Sequence, residues 1–569
     1  MSAPAKTVRE FRHILLWPLQ LRRLRRETGF ATHWDVLRAN PGPWREVKDN
    51  LLVEDESCQS GYQEFVYFLP YVQRFLYGFG EADAQTPSSL HMFSRDDIAT
   101  VRVRLRQASD PIELVVARTR LVFFYDQDVA ILAFEVVARD LPLEDAIELM
   151  DRFGRPYPPY WDEDGQGAHT TYSVEFRDAA GALLSTSDYG DRDKYIGLVR
   201  DIKQTPLSLH WEYLLHPMVP AYLGGGVLQY YQIENKRIPI MTYLALEEPR
   251  CLTRGDLARI GYTAKWGPSD TLPFAPGFLA DFELKHCYDR YWDGESAASG
   301  MNTRFVFCGV AFAMITRHQD ERTDLVHTFR QQFFQIGLIA NFHKAALLNL
   351  SNRFSIAVER LRVGDYASVR VFKDSVREAL ELFLRFNHRY WFHEISNQVL
   401  ASDMFARWAH QLGSDALFAE VREEAQDINQ YLDADRTRKA GDNAMRLTVV
   451  SALGMAGTVV TGFLGMNLFN HTELAGWDKF WIFMAVFVPT VSLGLYTVIM
   501  SKRIATFFEA MSSERLTWRQ KFGAFRQIWR APPSSPKVRK RVAGGDEPTR
   551  RSAGQHGSPP QRAPAAPRN

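Results

Sequence analysis

The stretch LTVVSALGMAGTVVTGFLGMN, residues 447–467, contains no Asp, Glu, Lys or Arg, and the charge-free run continues to Thr472. A second such run, FWIFMAVFVPTVSLGLYTVIM, occupies residues 480–500. A helix needs about 20 mainly apolar residues to cross the hydrocarbon core of a bilayer, and both runs reach that length. The first is rich in small residues, among them Gly454, Ala456, Gly457, Gly462 and Gly465, which let neighbouring helices approach closely. The second is bulkier, with Phe480, Trp481, Phe483, Phe487 and Tyr496, and its terminal aromatics match the preference of Trp and Tyr for the membrane interface. The competing reading, a helical hairpin buried in a soluble protein, is disfavoured by the length of both runs.

The flanking charges set an orientation. Arg438, Lys439 and Arg446 precede the first run, and Lys502 and Arg503 follow the second. The connecting loop, residues 468–479, carries only Lys479 against Glu473 and Asp478. The positive-inside rule therefore predicts an integral membrane protein with two spans, both termini cytoplasmic and a short loop outside, in a plasma or bacterial inner membrane. Residues 14–21 are too short for a span and are followed by Arg22, Arg23, Arg25 and Arg26, so they read as an amphipathic helix and not as a secretory signal.

The chain has 569 residues, 46% hydrophobic and 24% charged, which excludes a wholly disordered protein. Its mean hydropathy of −0.26 excludes a protein made mostly of membrane spans. Cys58, Cys251, Cys287 and Cys308 are far apart with no CxxC, so neither a disulfide framework nor a cysteine-rich zinc site is expected. The net charge of +1 hides an asymmetry: residues 502–569 hold 15 basic and 4 acidic residues, a net of +11, against −10 for the rest.

Along the chain, residues 1–44 read as an amphipathic extension and residues 45–320 as a mixed α/β cytoplasmic body. Residues 101–105, 112–125 and 129–138 are rich in β-branched and aromatic residues, and Asp126-Gln127-Asp128 predicts a hairpin between the last two. Residues 143–153 read as an amphipathic helix, and residues 172–176 and 181–185 as a further hairpin. Residues 321–446 turn helical, and the stretch from Ser414 runs into the first span with only Gly441 against it. Residues 501–530 repeat Trp518, Phe522, Phe525 and Trp529 among basic residues, which suits an amphipathic helix lying on an anionic membrane surface or, equally, packed on the stalk. The remaining tail, 531–569, is rich in Pro, Ser, Gly and Arg and reads as disordered. The membrane accounts for the basic end, so no nucleic-acid partner is expected. No Walker loop, HExxH, GxSxG or Rossmann fingerprint stands in a fitting context, and His169, His210, His216, His327 and His343 lack metal-ligand spacing. An enzyme is not expected.

Gly465-Met466-Asn467 ends the first charge-free run, with Glu473-Leu474 following six residues beyond Asn467 and Leu447-Thr448 opening the run twenty residues before it. In these features the chain resembles the CorA family of divalent-cation channels, marked by a Gly-Met-Asn tripeptide at the outer end of the first of two C-terminal helices. The likeness covers residues 441–503. A second tripeptide, Gly300-Met301-Asn302, lies in a polar stretch and reads as an incidental loop. The chain departs from the family in lacking a proline within the first helix, where Gly457 stands nearby. Asn443 is displaced from the position of the family's inner asparagine.

The resemblance implies an α+β cytoplasmic domain, a long helical stalk and two C-terminal transmembrane helices, assembled as a funnel-shaped homopentamer. It implies a selectivity filter at Gly465, Met466 and Asn467. Helical spacing back from Gly465 gives a pore face of Gly462, Thr458, Met455, Ser451 and Leu447, and the resemblance also places Thr458, Met455 and Leu447 on the pore. Glu473 and Asp478 would line the outer mouth. Mg²⁺, or Co²⁺ and Ni²⁺, is the transported ion it implies, with no prosthetic group. The family also holds regulatory Mg²⁺ between intracellular carboxylates; Asp427 and Asp433 are the candidates, Gln430 standing near the place of the family's sensing aspartate. The partners expected are divalent cations, the bilayer and further copies of the chain. A zinc transporter of the same superfamily, with or without proton coupling, and a membrane-tethered regulatory or binding protein are the alternatives.

Overall fold

The computed structural model describes residues 6–24, 29–47, 58–78, 88–234, 237–265, 267, 271–272, 274–292, 302–318, 324–362 and 366–465, with isolated positions between 477 and 496. The chain divides into two compact units, Met1–Leu432 and Asp433–Asn569.

The first unit is built on a mainly antiparallel sheet, fourteen-stranded among the described residues. Its axis is β1 (Thr7–Leu21), which pairs antiparallel with β6 (Val129–Pro142), from Thr7↔Pro142 to Gln20↔Val129, and on its other edge with β11 (Ile240–Leu246). This corrects the reading of the N-terminal segment as an amphipathic helical extension. Residues of β1 alternate between two cores, Phe11, Leu15, Trp17 and Leu19 in one, Ile14 and Leu16 in the other. A strand buried on both faces reads as an unbroken apolar run, which a short helix also produces.

The expected hairpins are present. β5 (Ile112–Phe124) pairs with β6 in the register Phe123↔Ala130, and Asp126 turns the chain at a φ of 57°. Asp is among the few residues that tolerate this left-handed conformation. β7 (Ser173–Arg177) and β8 (Leu183–Thr186) form the second hairpin beside β4 (Thr100–Arg104). At the other end of the sheet β11 runs parallel to β14 (Ala311–Arg317), which pairs with β13 (Thr303–Cys308), and that with β12 (Cys287–Tyr291).

Helices cover both faces. Residues 143–153, expected as a helix, form α4 (Leu143–Arg152), which packs into the first core with α6 (Leu209–Leu215) and α7 (Arg254–Tyr262). The second core is closed by α10 (Phe334–Glu359) and α12 (Val399–Leu412). Part of the aromatic segment 62–77 is core as well: Tyr67 and Phe68 are buried, and Pro70 starts a new helix, α3 (Pro70–Tyr77), that buries Val72, Phe75 and Leu76, while Tyr62 and Tyr71 are exposed. The close approach of α10 to its neighbours depends on Gly337, where a Cβ would lie 2.6 Å from the Trp408 ring and 2.7 Å from the Met241 sulfur. Gly413, at a φ of 70°, ends α12 in the left-handed conformation that favours glycine. From there α13 runs unbroken over Ser414–Gly465, 52 residues. The sequence expectation of a stalk continuing into the first apolar run therefore holds as far as Gly465.

Candidate functional site

The candidate site is the C-terminal half of α13. Within the second unit its polar beginning is internally paired, Arg436 with Asp433 at 3.2 Å and Lys439 with Asp435 at 3.1 Å. Thereafter the helix carries no ionisable residue beyond Arg446.

Gly465, Gly462, Thr458, Met455, Ser451 and Leu447 are all described and all exposed, Leu447 at 68% and Met455 at 70%. At 3.6 residues per turn these six positions fall within an arc of about 80°. A Cβ added at Gly454, Gly462 or Gly465 would meet nothing within 4 Å. An apolar, glycine-rich helix left bare in this way needs a cover of lipid or of other protein. The hydroxyl of Thr458 donates to the Gly454 carbonyl at 2.9 Å, and that of Thr448 to the Ala444 carbonyl at 3.0 Å. Each hydroxyl thus spends its single hydrogen on the helix.

Met466, Asn467, Glu473 and Asp478 lie outside the described residues, as does most of the second charge-free run. Among the described residues no helix is long and apolar enough to cross a membrane. Of the first run, only part of the side chains is described. At the start of the second run Trp477, Phe480 and Trp481 are exposed and in ring contact, Trp477 with Phe480 and Phe480 with Trp481, both at 6.1 Å.

The acidic candidates belong to different units. Asp427 is exposed within the first unit, and Asp433 is exposed and paired with Arg436. Glu424, half-buried, has its carboxyl pushed up by burial and by neighbouring Glu420. Among the described residues no three His, Cys, Asp or Glu side chains gather where they could hold a metal ion. Of the histidines set aside in the sequence, His210 and His343 are structural. His343 is fully buried with Nε2 2.6 Å from the Tyr390 carbonyl, and His210 is buried with Nδ1 3.0 Å from Ser208 Oγ. Of the second tripeptide only Asn302 is among the described residues; it is buried and accepts from Arg250 at 2.9 Å.

Residues 370–503 match the family model described as CorA-like Mg²⁺ transporter protein. No curated protein matches the chain.

Proposed function

We propose, from the premise that residues 370–503 belong to the CorA-like Mg²⁺ transporter family, that this chain is a homo-oligomeric channel for divalent cations. The family transports divalent cations. The finer reading is a pentamer whose pore is lined by residues 447–465 of each copy and which conducts Mg²⁺ inward, with Co²⁺ and Ni²⁺ as further cargo. The observation that carries it is the bare, charge-free end of α13, which lies inside the matched stretch and leads directly into Met466-Asn467.

Mg²⁺ gives up its water reluctantly, so the cargo crosses with its hydration shell largely in place. A hydrated dication points water hydrogens outward, and a lining that holds it must accept them. Asn467 and the carbonyls of Gly465 and Met466 supply neutral acceptors at the outer end, and Thr458 a second ring below. Met455 and Leu447 form apolar constrictions, which close a pore by dewetting. Glu473 and Asp478 concentrate cations at the outer mouth. A dication crossing 100 mV gains about 4.6 kcal/mol, twice the single-charge value, so the potential suffices to drive entry. Both spans sit in the membrane with the termini inside. Metal bound at Asp427 or Asp433 would need carboxylates from another copy, and its loss would let the copies move apart.

The test is cation uptake into proteoliposomes, wild type against Asn467→Ala, with Mg²⁺, Co²⁺, Ni²⁺ and Zn²⁺ in turn, with and without a pH gradient. Potential-driven Mg²⁺ uptake abolished by the substitution is the expected result. Zinc uptake that follows the proton gradient would move the chain to the zinc-transport branch. No uptake from folded oligomers would leave a membrane-tethered regulatory protein.

A further inference from the structure

A notch in the first unit lies between the end of α8 (Pro276–His286) and α12. It has a volume of about 270 Å³, and its polar lining is Lys285, His286, Asp403, Arg407, His410 and Gln411. The four residues from α12 recur at helical spacing, so a single face of that helix supplies them. The two walls are tied together: the Gln411 side-chain amide donates to the Lys285 carbonyl at 3.2 Å. His286 is anchored to the sheet, its Nδ1 donating to the Phe307 carbonyl of β13 at 2.9 Å.

Arg407 is the unbalanced charge of this notch. Its guanidinium lies 4.8 Å from the centre of the Tyr288 ring, a cation–π contact that holds it in place. It makes no hydrogen bond or ion pair among the described residues, and none of its nitrogens is closed to solvent. The one carboxylate of the lining, Asp403, is committed elsewhere: it accepts from the Tyr288 hydroxyl at 2.7 Å and stands 3.8 Å from Arg290. Lys285, on the other wall, is exposed and has a loose partner in Asp281 at 3.4 Å, exposed as well. An exposed pair of this kind contributes little and yields to a better acceptor. His410 is exposed too, and its ring has no partner among the described residues.

Two cations and a histidine on two walls select an oxyanion as occupant. A metal ion would find a single carboxylate there and face Lys285 and Arg407. A planar carboxylate answers the fork of Arg407 and leaves Lys285 over. A phosphate group carries a charge of about −1.5 to −2 at neutral pH and three strong acceptor oxygens. Two of its oxygens can take parallel N–H bonds from the guanidinium, and the rest can accept from the Lys285 ammonium and the His410 ring. His286 stays outside this set, because its Nδ1 hydrogen is given to Phe307 and its Nε2 lies 3.5 Å from the Tyr262 hydroxyl. The Gln411 amide covers the Lys285 carbonyl, an acceptor that would otherwise repel an anion. The volume stands just below the range of about 300–1,000 Å³ of small-molecule sites, so it suits a phosphate with a few further atoms laid against Ala406 and Phe307. We propose that this notch binds a phosphate group, free or as the monoester of a small molecule, through Arg407, Lys285 and His410.

The test is isothermal titration calorimetry on the full chain, in an uncharged detergent and a phosphate-free buffer of low ionic strength, with inorganic phosphate and glycerol phosphate as probes. Saturable binding of at least one probe at millimolar concentration is expected. Tighter binding of the ester would assign the site to phosphorylated small molecules, and equal binding would assign it to the phosphate group itself. Arg407→Gln and Lys285→Gln are each expected to weaken binding at least about tenfold, the loss of one charge-assisted contact. Both side chains are open to solvent, so both variants are expected to unfold with wild type, which urea denaturation verifies before titration. Absence of binding of both probes to wild type overturns the proposal, and so does binding that survives both substitutions.

Discussion

Arg330 donates from its Nε to the Glu135 carboxylate at 3.1 Å, joining the π-helical turn Phe329–Phe333 to the middle of the sheet. Glu135 is fully buried on β6 and meets two further guanidiniums, Arg12 at 3.2 Å and Arg118 at 3.1 Å. Arg118 also donates to the Arg330 carbonyl at 3.2 Å and stacks on the Phe334 ring. Burial alone would raise the Glu135 carboxyl, but Arg118, Arg330 and Arg12 outweigh it and hold it below the usual carboxylate range. Glu135→Gln would leave three buried guanidiniums around a neutral amide. Breaking a buried pair from one side costs about 3–5 kcal/mol. The expected outcome is a large drop in unfolding free energy, measured by urea denaturation of the detergent-solubilised chain. A loss under about 1 kcal/mol, the size of an average substitution, would show that the arginines find other partners.

Acid should weaken the first unit through its histidines. His13, His210 and His343 are fully buried, and burial pushes each down to about 3, with Arg237 adding to the effect at His13. In the unfolded chain each binds a proton near the ordinary value of 6.5. Between pH 6.5 and 3 the unfolded state therefore holds protons that the native state refuses. The stability these neutral rings contribute is complete above 6.5 and is lost as pH falls towards 3. Each histidine takes away up to about 1.4 kcal/mol per pH unit within that window. Unfolding free energy measured at half-unit steps from pH 7 to 4.5 should fall with a slope that steepens below 6.5. His343→Gln, which keeps a donor for the Tyr390 carbonyl, should reduce that slope by one proton. An unchanged slope would mean that His343 is protonated in the native state.

What could be read in advance depended on how local each signal was. The β5–β6 hairpin was legible because Asp126-Gln127-Asp128 interrupts two apolar runs, and the turn needs nothing beyond those residues. The course of α13 was legible because a single weak break, Gly441, stands between Ser414 and Arg446, beyond which the charge-free run begins. β1 was misread because Ile14 and Leu16 face one core while Leu15 and Trp17 face the other, so its period-2 pattern disappears. The parallel pairing of β11 with β14, Ile240↔Ala311 through Leu246↔Arg317, joins strands distant in sequence, and no local pattern announces it. The six positions of the proposed pore face are exposed, but so are Thr448 and Gly454 beside them, and exposure does not itself select a pore side.

That selection can be made at Thr458. Its hydroxyl hydrogen is engaged by the Gly454 carbonyl at 2.9 Å, so on the proposed pore its oxygen would serve as an acceptor and not as a donor. A hydrated dication offers only donors, and each copy of the chain then contributes one acceptor to a ring. Thr458→Val keeps the shape and the β-branch but removes the oxygen. Thr458→Ser keeps the oxygen and the same bond to the helix. If Thr458 lines the pore, the valine variant should conduct Mg²⁺ at least about tenfold more slowly, equivalent to about 1.4 kcal/mol on the barrier, while the serine variant stays close to wild type. Both should reach the membrane as the same oligomer, which cross-linking would verify before flux is measured. Equal flux from the two variants would place Thr458 against lipid or a neighbouring helix and turn the pore face to another side of α13.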